Sequence, residues 1–254
     1  MCGRYAASRN PDDLVEEFEV EERPEQVLQP SWNVAPTKNV YAVLERAHKE
    51  QPETPPRRAL TVVRWGLVPS WAKDPKIGHR MINARMETVA EKPAFRRAFA
   101  RRRCLLPADG YYEWYGETKG KKQPFFITPA DGGVLAMAGL YELWKDPAAA
   151  AGTDPWLWTC TVLTTIAEDD LGRIHDRMPL LVEPERYAQW LDPTIDDADE
   201  LTRLLVPAAP GRLTAYPVST DVNNVRNDGV HLVQPIPVDP PPPGTELGDD
   251  PALF

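Results

Sequence analysis

Apolar runs with strand periodicity dominate the chain from Asn39 to Thr164, and the helical runs do not alternate with them. Leu60–Leu67 alternates around β-branched residues. Asn39–Leu44, Cys104–Trp114, Gln123–Ile127, Val134–Trp144 and Trp156–Thr164 read in the same way, separated by Gly-, Pro- and Lys-rich breaks. A parallel sheet needs a crossover helix between successive strands. This order therefore predicts an α+β fold, mostly antiparallel, with barrel-like sheets and peripheral helices.

The helices are few. Over residues 10–20, Asn10 can cap, Pro11 suits the first helical position, Asp12 and Asp13 favour the positive end, and Leu14, Val15 and Phe18 form a stripe. Pro93 opens a second helix, with Phe95, Ala98 and Phe99 on one face and Arg96, Arg97 and Arg101–Arg103 over the rest. Residues 167–172 make a short acidic turn or helix, and Pro184–Trp190 and Asp197–Leu205 two late helices. Leu180–Val182 and Tyr216–Val218 are short strands. Ser31–Thr37 reads as a turn, residues 48–57 as a loop, and Asp221–Gly229 as an Asn-rich loop. No repeat or linker divides residues 1–235, which form one domain. Residues 236–254 read as a Pro-rich, acidic, disordered tail.

Several function classes are disfavoured. No apolar run is long enough to span a bilayer, and no basic-then-apolar signal peptide is present, so no membrane partner is expected. The cysteines, Cys2, Cys104 and Cys160, are odd in number and sparse, which is no disulfide framework and fits a reducing, cytoplasmic setting. Four scattered histidines and no CxxC pair argue against zinc, and nothing calls for another cofactor. The net charge of −9 disfavours a nucleic-acid partner. Its distribution reopens the question. Residues 11–25 hold eight acids against Arg23, whereas residues 76–103 hold nine Lys/Arg against Glu87 and Glu91. That basic run is either a polyanion footprint or a solvated helix face.

The chain begins Met1-Cys2-Gly3-Arg4-Tyr5. Removal of Met1 would leave Cys2 with an α-amine and a thiol on adjacent carbons. The amine titrates near ~8 and the thiol near ~8.5, so both are partly nucleophilic at neutral pH. Such a pair attacks one aldehyde twice, first as a Schiff base, then by closure of a five-membered thiazolidine. An internal cysteine cannot do this, because its nitrogen is an amide. The competing reading is a stray cysteine on a loose terminus.

Other polar groups sit where loops leave apolar strands. Asn83 and Arg85 flank Ala84. Glu113 lies inside Tyr111-Tyr112-Glu113-Trp114; among aromatics its pKa would rise and suit it to proton transfer, but strict alternation would turn it to solvent. His175 is either a proton carrier or a structural loop histidine. Arg177 could hold a phosphate or pair with Asp176. Trp71, after Pro69-Ser70, is the tryptophan best placed to stack on a base.

These residues fall within ordered motifs: Met1–Tyr5, Trp32–Thr37, Arg64–Trp71, Ile82–Thr88, Ala108–Trp114, Ile174–Pro179 and Val218–Arg226. In that set and order the chain resembles the SRAP family, the SOS-response-associated peptidase-like proteins, across residues 1–235. The resemblance implies a single SRAP-type domain in DNA repair that binds abasic sites in single-stranded DNA and crosslinks to them through the N-terminal cysteine. Carried over, Cys2 is the nucleophile, Asn83 steadies the Cys2 end and the sugar, and Glu113 relays protons. His175 assists the proton steps and the reversal. Arg85 and Arg177 look like phosphate clamps, with Arg4 and Asn33 as supporting contacts. Pro36 and Trp71 would stack or wedge beside the lesion. Some bacterial relatives carry a second aromatic after the Trp71 equivalent; Ala72 here implies a smaller platform. The partner implied is abasic single-stranded DNA, met by a monomer in the cytoplasm or on the nucleoid. Any lyase activity should be weak, because the thiazolidine suppresses β-elimination.

Two other functions compete. A cysteine peptidase built on Cys2, Glu113 and His175, acting at least on its own Met1, needs no free α-amine. A non-catalytic module for DNA or a modified base would survive loss of Cys2. A residue added before Cys2 separates the first two, since it abolishes aldehyde capture and can spare proteolysis.

Overall fold

The computed structural model describes residues 2–46, 54, 56–116, 122–150, 152–167, 169–207, 209 and 211–237. In chain order its elements are β1 (Tyr5–Ala7), α1 (Pro11–Glu17), β2 (Ser31–Val34), β3 (Asn39–Arg46), β4 (Arg57–Trp65), β5 (Asn83–Arg85), α2 (Arg96–Arg101), β6 (Arg103–Ala108), β7 (Gly110–Tyr115), β8 (Gln123–Pro129), β9 (Leu135–Lys145), β10 (Trp156–Ile166), β11 (Arg177–Pro179), α3 (Tyr187–Leu191), α4 (Ala198–Arg203) and β12 (Leu213–Pro217), with short 3-10 turns between.

Five strands close on themselves: β10 pairs with β4, β4 with β3, β3 with β6, β6 with β9, and β9 with β10. Only the β10–β4 contact in this ring is parallel. β5 and β11 attach to the far half of β10, β5 parallel and β11 antiparallel. The remaining strands form a second, antiparallel sheet in the order β12-β8-β7-β1-β2. This is the α+β, mostly antiparallel, barrel-like single domain that the strand order implied.

Strand alternation sorts the core. Val40, Ala42, Leu44, Val63, Cys104, Leu106, Met137, Tyr141, Cys160 and Val162, drawn from all five ring strands, cluster together with Tyr5, Tyr111 and Ile127 of the second sheet. The opposite set, including Tyr41, Val43, Leu60, Leu105, Ala138, Leu140 and Leu163, packs against Leu14, Phe18, Phe99, Trp190 and Leu201 of the helices. Each ring strand is thus apolar on both faces, and burying one such side chain contributes roughly 1.5–3 kcal/mol. Tyr5 meets Trp65 edge-on at 5.1 Å, which joins the two sheets directly over the start of the chain.

Local chemistry sets the boundaries. Asn10 caps α1 by accepting from Asp12 N–H at 3.0 Å. The helix ends earlier than the expected residue 20, because Glu19 adopts φ 51°. The expected strand 104–114 divides at Asp109 and its halves lie in different sheets. Asp109 N–H donates to Ala6 O (2.8 Å), its carboxylate accepts from Ser8 N–H (2.6 Å), and its carbonyl accepts from Thr128 Oγ1 (2.6 Å), all outside the barrel ladder. Gly110 then lets β7 approach β8, since a Cβ there would lie 2.5 Å from Ile127 O. Ser31–Val34, expected as a turn, is β2, and Arg177–Pro179 is β11. Of the expected loop at 48–57, residues 48–53 and 55 lie outside the described residues. So does the expected tail from 238 onward; Ile236 N–H still donates to Pro217 O at 3.0 Å.

Candidate active site

The start of the chain is held inside the molecule. β1 lies between β7 and β2, with Tyr5 opposite both Tyr111 and Val34. Cys2, three residues earlier, is fully buried. Asn83 Nδ2 donates to Cys2 O at 2.7 Å, and Asn83 is itself placed by the pairing of β5 with Val162–Thr164 of β10. Burial, and then the charge of Glu113, pushes the Cys2 thiol well up from its ordinary value. The Cys2 thiol is therefore protonated at rest.

Glu113 sits on β7 and is 3% exposed. Alternation did not turn it to solvent, because both faces of β7 are covered. Tyr112 packs with Phe126, Val218, Val222 and Leu232 on one side, while Tyr111 packs in the cluster holding Cys2 on the other. Glu113, two residues from Tyr111, shares the Cys2 face. Desolvation raises its pKa to about 7, which lets it give and take protons near neutrality.

His175 precedes β11 and is half-buried. Its Nδ1 accepts from the Arg177 N–H at 3.0 Å, so the neutral ring carries its proton on Nε2. Asp176 Oδ1 lies 2.9 Å from the same nitrogen but is 85% exposed; that contact gains strength only on protonation. Burial, its largest cause, lowers the His175 pKa. Asp176 and Lys122 act electrostatically on both Glu113 and His175.

The remaining expected residues divide by engagement. Arg85 is exposed. Trp71 is 56% exposed on a turn fixed from below: Trp144 Nε1 donates to Ala72 O (2.7 Å) and Val68 N–H to Thr159 Oγ1 (2.9 Å). That turn begins at Gly66, φ 120°, where a Cβ would lie 2.7 Å from Gly78 O. Pro36 is half-buried and precedes Thr37, a β-branched residue held at φ 75° with its N–H donating to Trp65 O (2.8 Å). Such strain persists only where its surroundings impose it.

Arg4, Asn33 and Arg177 are committed to the protein. Arg4 Nη1 donates to Asn33 Oδ1 (2.6 Å) and Val222 O (2.7 Å), beneath Trp114. Asn33 Nδ2 donates to Val222 O, Asn224 O and Asn227 O (3.3, 3.1 and 2.8 Å), which pins the 222–227 loop beside β2. Arg177, expected to clamp a phosphate, holds a carboxylate: its Nη1 and Nη2 donate to Glu87 Oε1 and Oε2 at 2.6 and 3.0 Å, and Nη2 also to Thr164 O at 2.6 Å. The alternative partner, Asp176, is not its partner here. Glu87, read from the sequence only as one of two acids within the basic run, is the partner of this fork; its position two after Arg85 in the Ile82–Thr88 motif was the only signal.

The basic run is partly structural. Arg103 is buried and donates to the carbonyls of Phe99, Ala100, Trp190 and Asp192 at the ends of α2 and α3. Arg102 and Arg101 pair with Glu142 and Asp196. Arg80, Arg85, Lys92, Arg96 and Arg97 remain exposed. Among the described residues no group of three or more His, Cys, Asp or Glu is placed to hold a metal ion, and no helix is long and apolar enough to cross a membrane.

Comparison with known proteins adds a name to this arrangement. A family model described as SOS response associated peptidase (SRAP) matches residues 1–225. The abasic site processing protein YoqW of Bacillus subtilis is 39% identical over 235 residues, covering 92% of this chain and 99% of that one. The abasic site processing protein HMCES of Gallus gallus is 34% identical over 269 residues, covering 93% and 78%. A solved structure of a Bacteroides thetaiotaomicron protein shares the fold, with TM-score 0.77 at 24% identity, covering 92% of this chain and all of that one. A Bordetella bronchiseptica protein superimposes with TM-score 0.68 at 26% identity, covering 86% and 100%.

Proposed function

The chain belongs to the SOS response associated peptidase (SRAP) family, and from that premise we propose that it processes abasic sites by crosslinking its N-terminal Cys2 to the exposed sugar aldehyde in single-stranded DNA. The observation that carries this reading is the full burial of Cys2, with the Asn83 amide donating to its carbonyl and the buried Glu113 on the Tyr111 face of β7.

The chemistry balances without an outside reagent. Removal of Met1 frees the Cys2 α-amine, which attacks C1′ of the ring-opened deoxyribose. The carbinolamine loses water, its hydroxyl taking a proton from Glu113, and an imine results. The Cys2 sulfur then adds to the imine carbon, and the thiol proton ends on nitrogen. Aldehyde, amine and thiol become thiazolidine and one water. Reversal runs the same steps backward, with His175 as a second proton carrier at the mouth. The imine alone would permit β-elimination; ring closure removes it and keeps lyase activity weak.

Recognition follows from what is exposed. Arg85 meets a backbone phosphate and Trp71 a base beside the lesion, while Arg4 and Asn33 shape the wall through the 222–227 loop. An abasic sugar in a single strand reaches the buried terminus without unpairing a partner. The full burial of Cys2 weighs against a peptidase as the main activity, because desolvation disfavours the thiolate that a cysteine peptidase needs. A monomer suffices, since every group named comes from one chain.

The test is incubation with single-stranded DNA bearing one abasic site, read on a denaturing gel. A heat-stable band confined to abasic DNA, lost in Cys2→Ala and in a protein with a residue added before Cys2, is the expected result. No band from protein shown by mass spectrometry to lack Met1 would sink the reading.

A further inference from the structure

The reading above leaves the hydroxyl of Tyr111 unused. Tyr111 is 1% exposed, and its Oη has no hydrogen-bond partner among the described residues. The ladder places Tyr111 opposite Tyr5 on β1, and alternation places it on the same face of β7 as Glu113. It packs in one buried cluster with Cys2, Tyr5 and Trp65. Burial, then the Cys2 thiol and the Glu113 carboxyl, pushes its phenol well up, so it stays a donor and never becomes a phenolate.

A buried hydroxyl without a partner is destabilising. Phenylalanine would fill the same space without that penalty, so the resting fold gains nothing from the oxygen. Its use lies in a state of the site that the resting fold does not present.

Ring closure creates such a state. As the S–H proton leaves for the imine nitrogen, by way of Glu113, electron density collects on sulfur before the C–S bond to C1′ is complete. At rest the sulfur receives the Arg4 backbone N–H and faces the Glu113 carboxyl. Titratable groups around it are Glu113 and Tyr111 from β7 and Tyr5 from β1, and Tyr5 in turn faces Cys104 on β6 and Cys160 on β10. Asp176 and Lys122 act from farther out on Glu113. The Tyr111 hydroxyl is buried without a partner, in the cluster that holds Cys2 and on the face of β7 that carries Glu113.

We propose that the Tyr111 hydroxyl is the hydrogen-bond donor to the Cys2 sulfur as it closes the thiazolidine ring, a role that rests on the crosslinking function above and assigns this residue to its second step. The donor holds developing negative charge on sulfur in a site otherwise shielded from water, and it takes no part in imine formation, which uses the α-amine and Glu113.

The experiment compares wild type with Tyr111→Phe, both shown by mass spectrometry to lack Met1, on abasic single-stranded DNA. Borohydride added at short times traps the imine; heat-stable product without borohydride reports the closed ring. Tyr111→Phe should melt at or above the wild-type temperature and trap imine at the wild-type rate. Its ring closure at neutral pH should be slower by about tenfold, with the rising limb of the pH–rate profile moved up by about one unit, as expected for loss of a hydrogen bond to a developing charge. A Tyr111→Phe protein that closes the ring at the wild-type rate with the same profile, or that is slowed equally in the imine step, overturns the proposal. Should Tyr111→Phe lose its fold, 3-fluorotyrosine at position 111, a stronger donor of the same shape, must move the limb down; an unmoved limb overturns the proposal equally. Wild type that yields no borohydride-independent product overturns the crosslinking reading and the proposal together, so the two failures are distinct.

Discussion

Asn83 Nδ2 donates a 2.7 Å hydrogen bond to the carbonyl of Cys2, and this bond ties Cys2 to β5 at the side of the barrel. It couples the barrel's register to the orientation of the terminal amine. Asn83→Ala removes the donor and leaves a buried carbonyl, at a stability loss of about 1 kcal/mol. The larger effect falls on catalysis, because a small misplacement of the nucleophile costs on the order of 100-fold in rate. Single-turnover crosslinking beside a thermal melt checks both; a variant that loses stability and keeps the wild-type rate would show that the bond serves folding alone.

Glu113 opposes stability and activity. Its pKa is raised to about 7 by burial, so the fold binds its proton more tightly than the unfolded chain does. Between the ordinary glutamate range and pH 7 the folded state holds more protons, and stability falls as pH rises through that window. Glu113→Gln abolishes this term. The variant should match wild type near pH 4 and exceed it at pH 8 by about 3 kcal/mol, while crosslinking falls by roughly 100-fold. Urea unfolding at the two pH values, beside the rate, is the measurement. Equal stability of the two proteins at pH 8 would mean that Glu113 ionises without penalty.

The fold was legible where local chemistry and tertiary packing agree. Asn10, Pro11 and the Leu14/Phe18 stripe marked α1, and alternation marked β3, β4, β9 and β10. It was illegible where partners distant in sequence decide. β1, at three residues, is too short to show a period and exists because β2 and β7 flank it. The 104–114 run reads as one strand because nothing in it shows that Asp109 bonds to Ala6, Ser8 and Thr128. Alternation alone would turn Glu113 to solvent, because the residues that cover its face of β7, in the cluster of Cys2, Tyr5 and Trp65, are distant from it in sequence. At the site, the structure bonds Asn83 to Cys2 O and sets Glu113 on the Tyr111 face of β7. It gives Asn33 and Arg177 to internal partners that no spacing rule reveals.

Arg177 and Arg85 should separate cleanly. Arg177 is buried and doubly bonded to Glu87, whose pKa it holds below the ordinary value chiefly through that hydrogen bond. Its truncation leaves Glu87 partly solvated, so Arg177→Ala should cost about 2 kcal/mol of stability, less than a fully buried pair. Glu87's own contribution is present above the ordinary glutamate pKa and is lost as pH falls through its lowered folded value. Arg85 is exposed and bonded to none of these groups, so Arg85→Ala should leave the melt unchanged and lower the salt slope of single-strand binding by about 0.7. Binding titrations across a salt series distinguish the two. A reduced slope in Arg177→Ala would show that a phosphate displaces Glu87 from the fork.

Trp71 presents an indole to solvent on a turn that does not depend on it, since Ala72 O, Val68 N–H and Gly66 carry the fixing contacts. An exposed tryptophan held this way is available to stack on a base. Trp71→Ala should leave stability within about 0.5 kcal/mol of wild type. Affinity for single-stranded DNA should weaken by about 1–3 kcal/mol, roughly 5- to 150-fold, with little sequence preference because every base has a π-face. Crosslinking should slow at low DNA concentration and recover at saturation, since stacking binds the strand without touching the reacting atoms. Fluorescence titration with Trp71→Ala and Trp71→Phe reads the effect, and Trp71→Phe should retain most of the affinity. An alanine variant that binds as wild type, or one whose saturated rate also collapses, would remove Trp71 from the binding surface or move it into the chemistry.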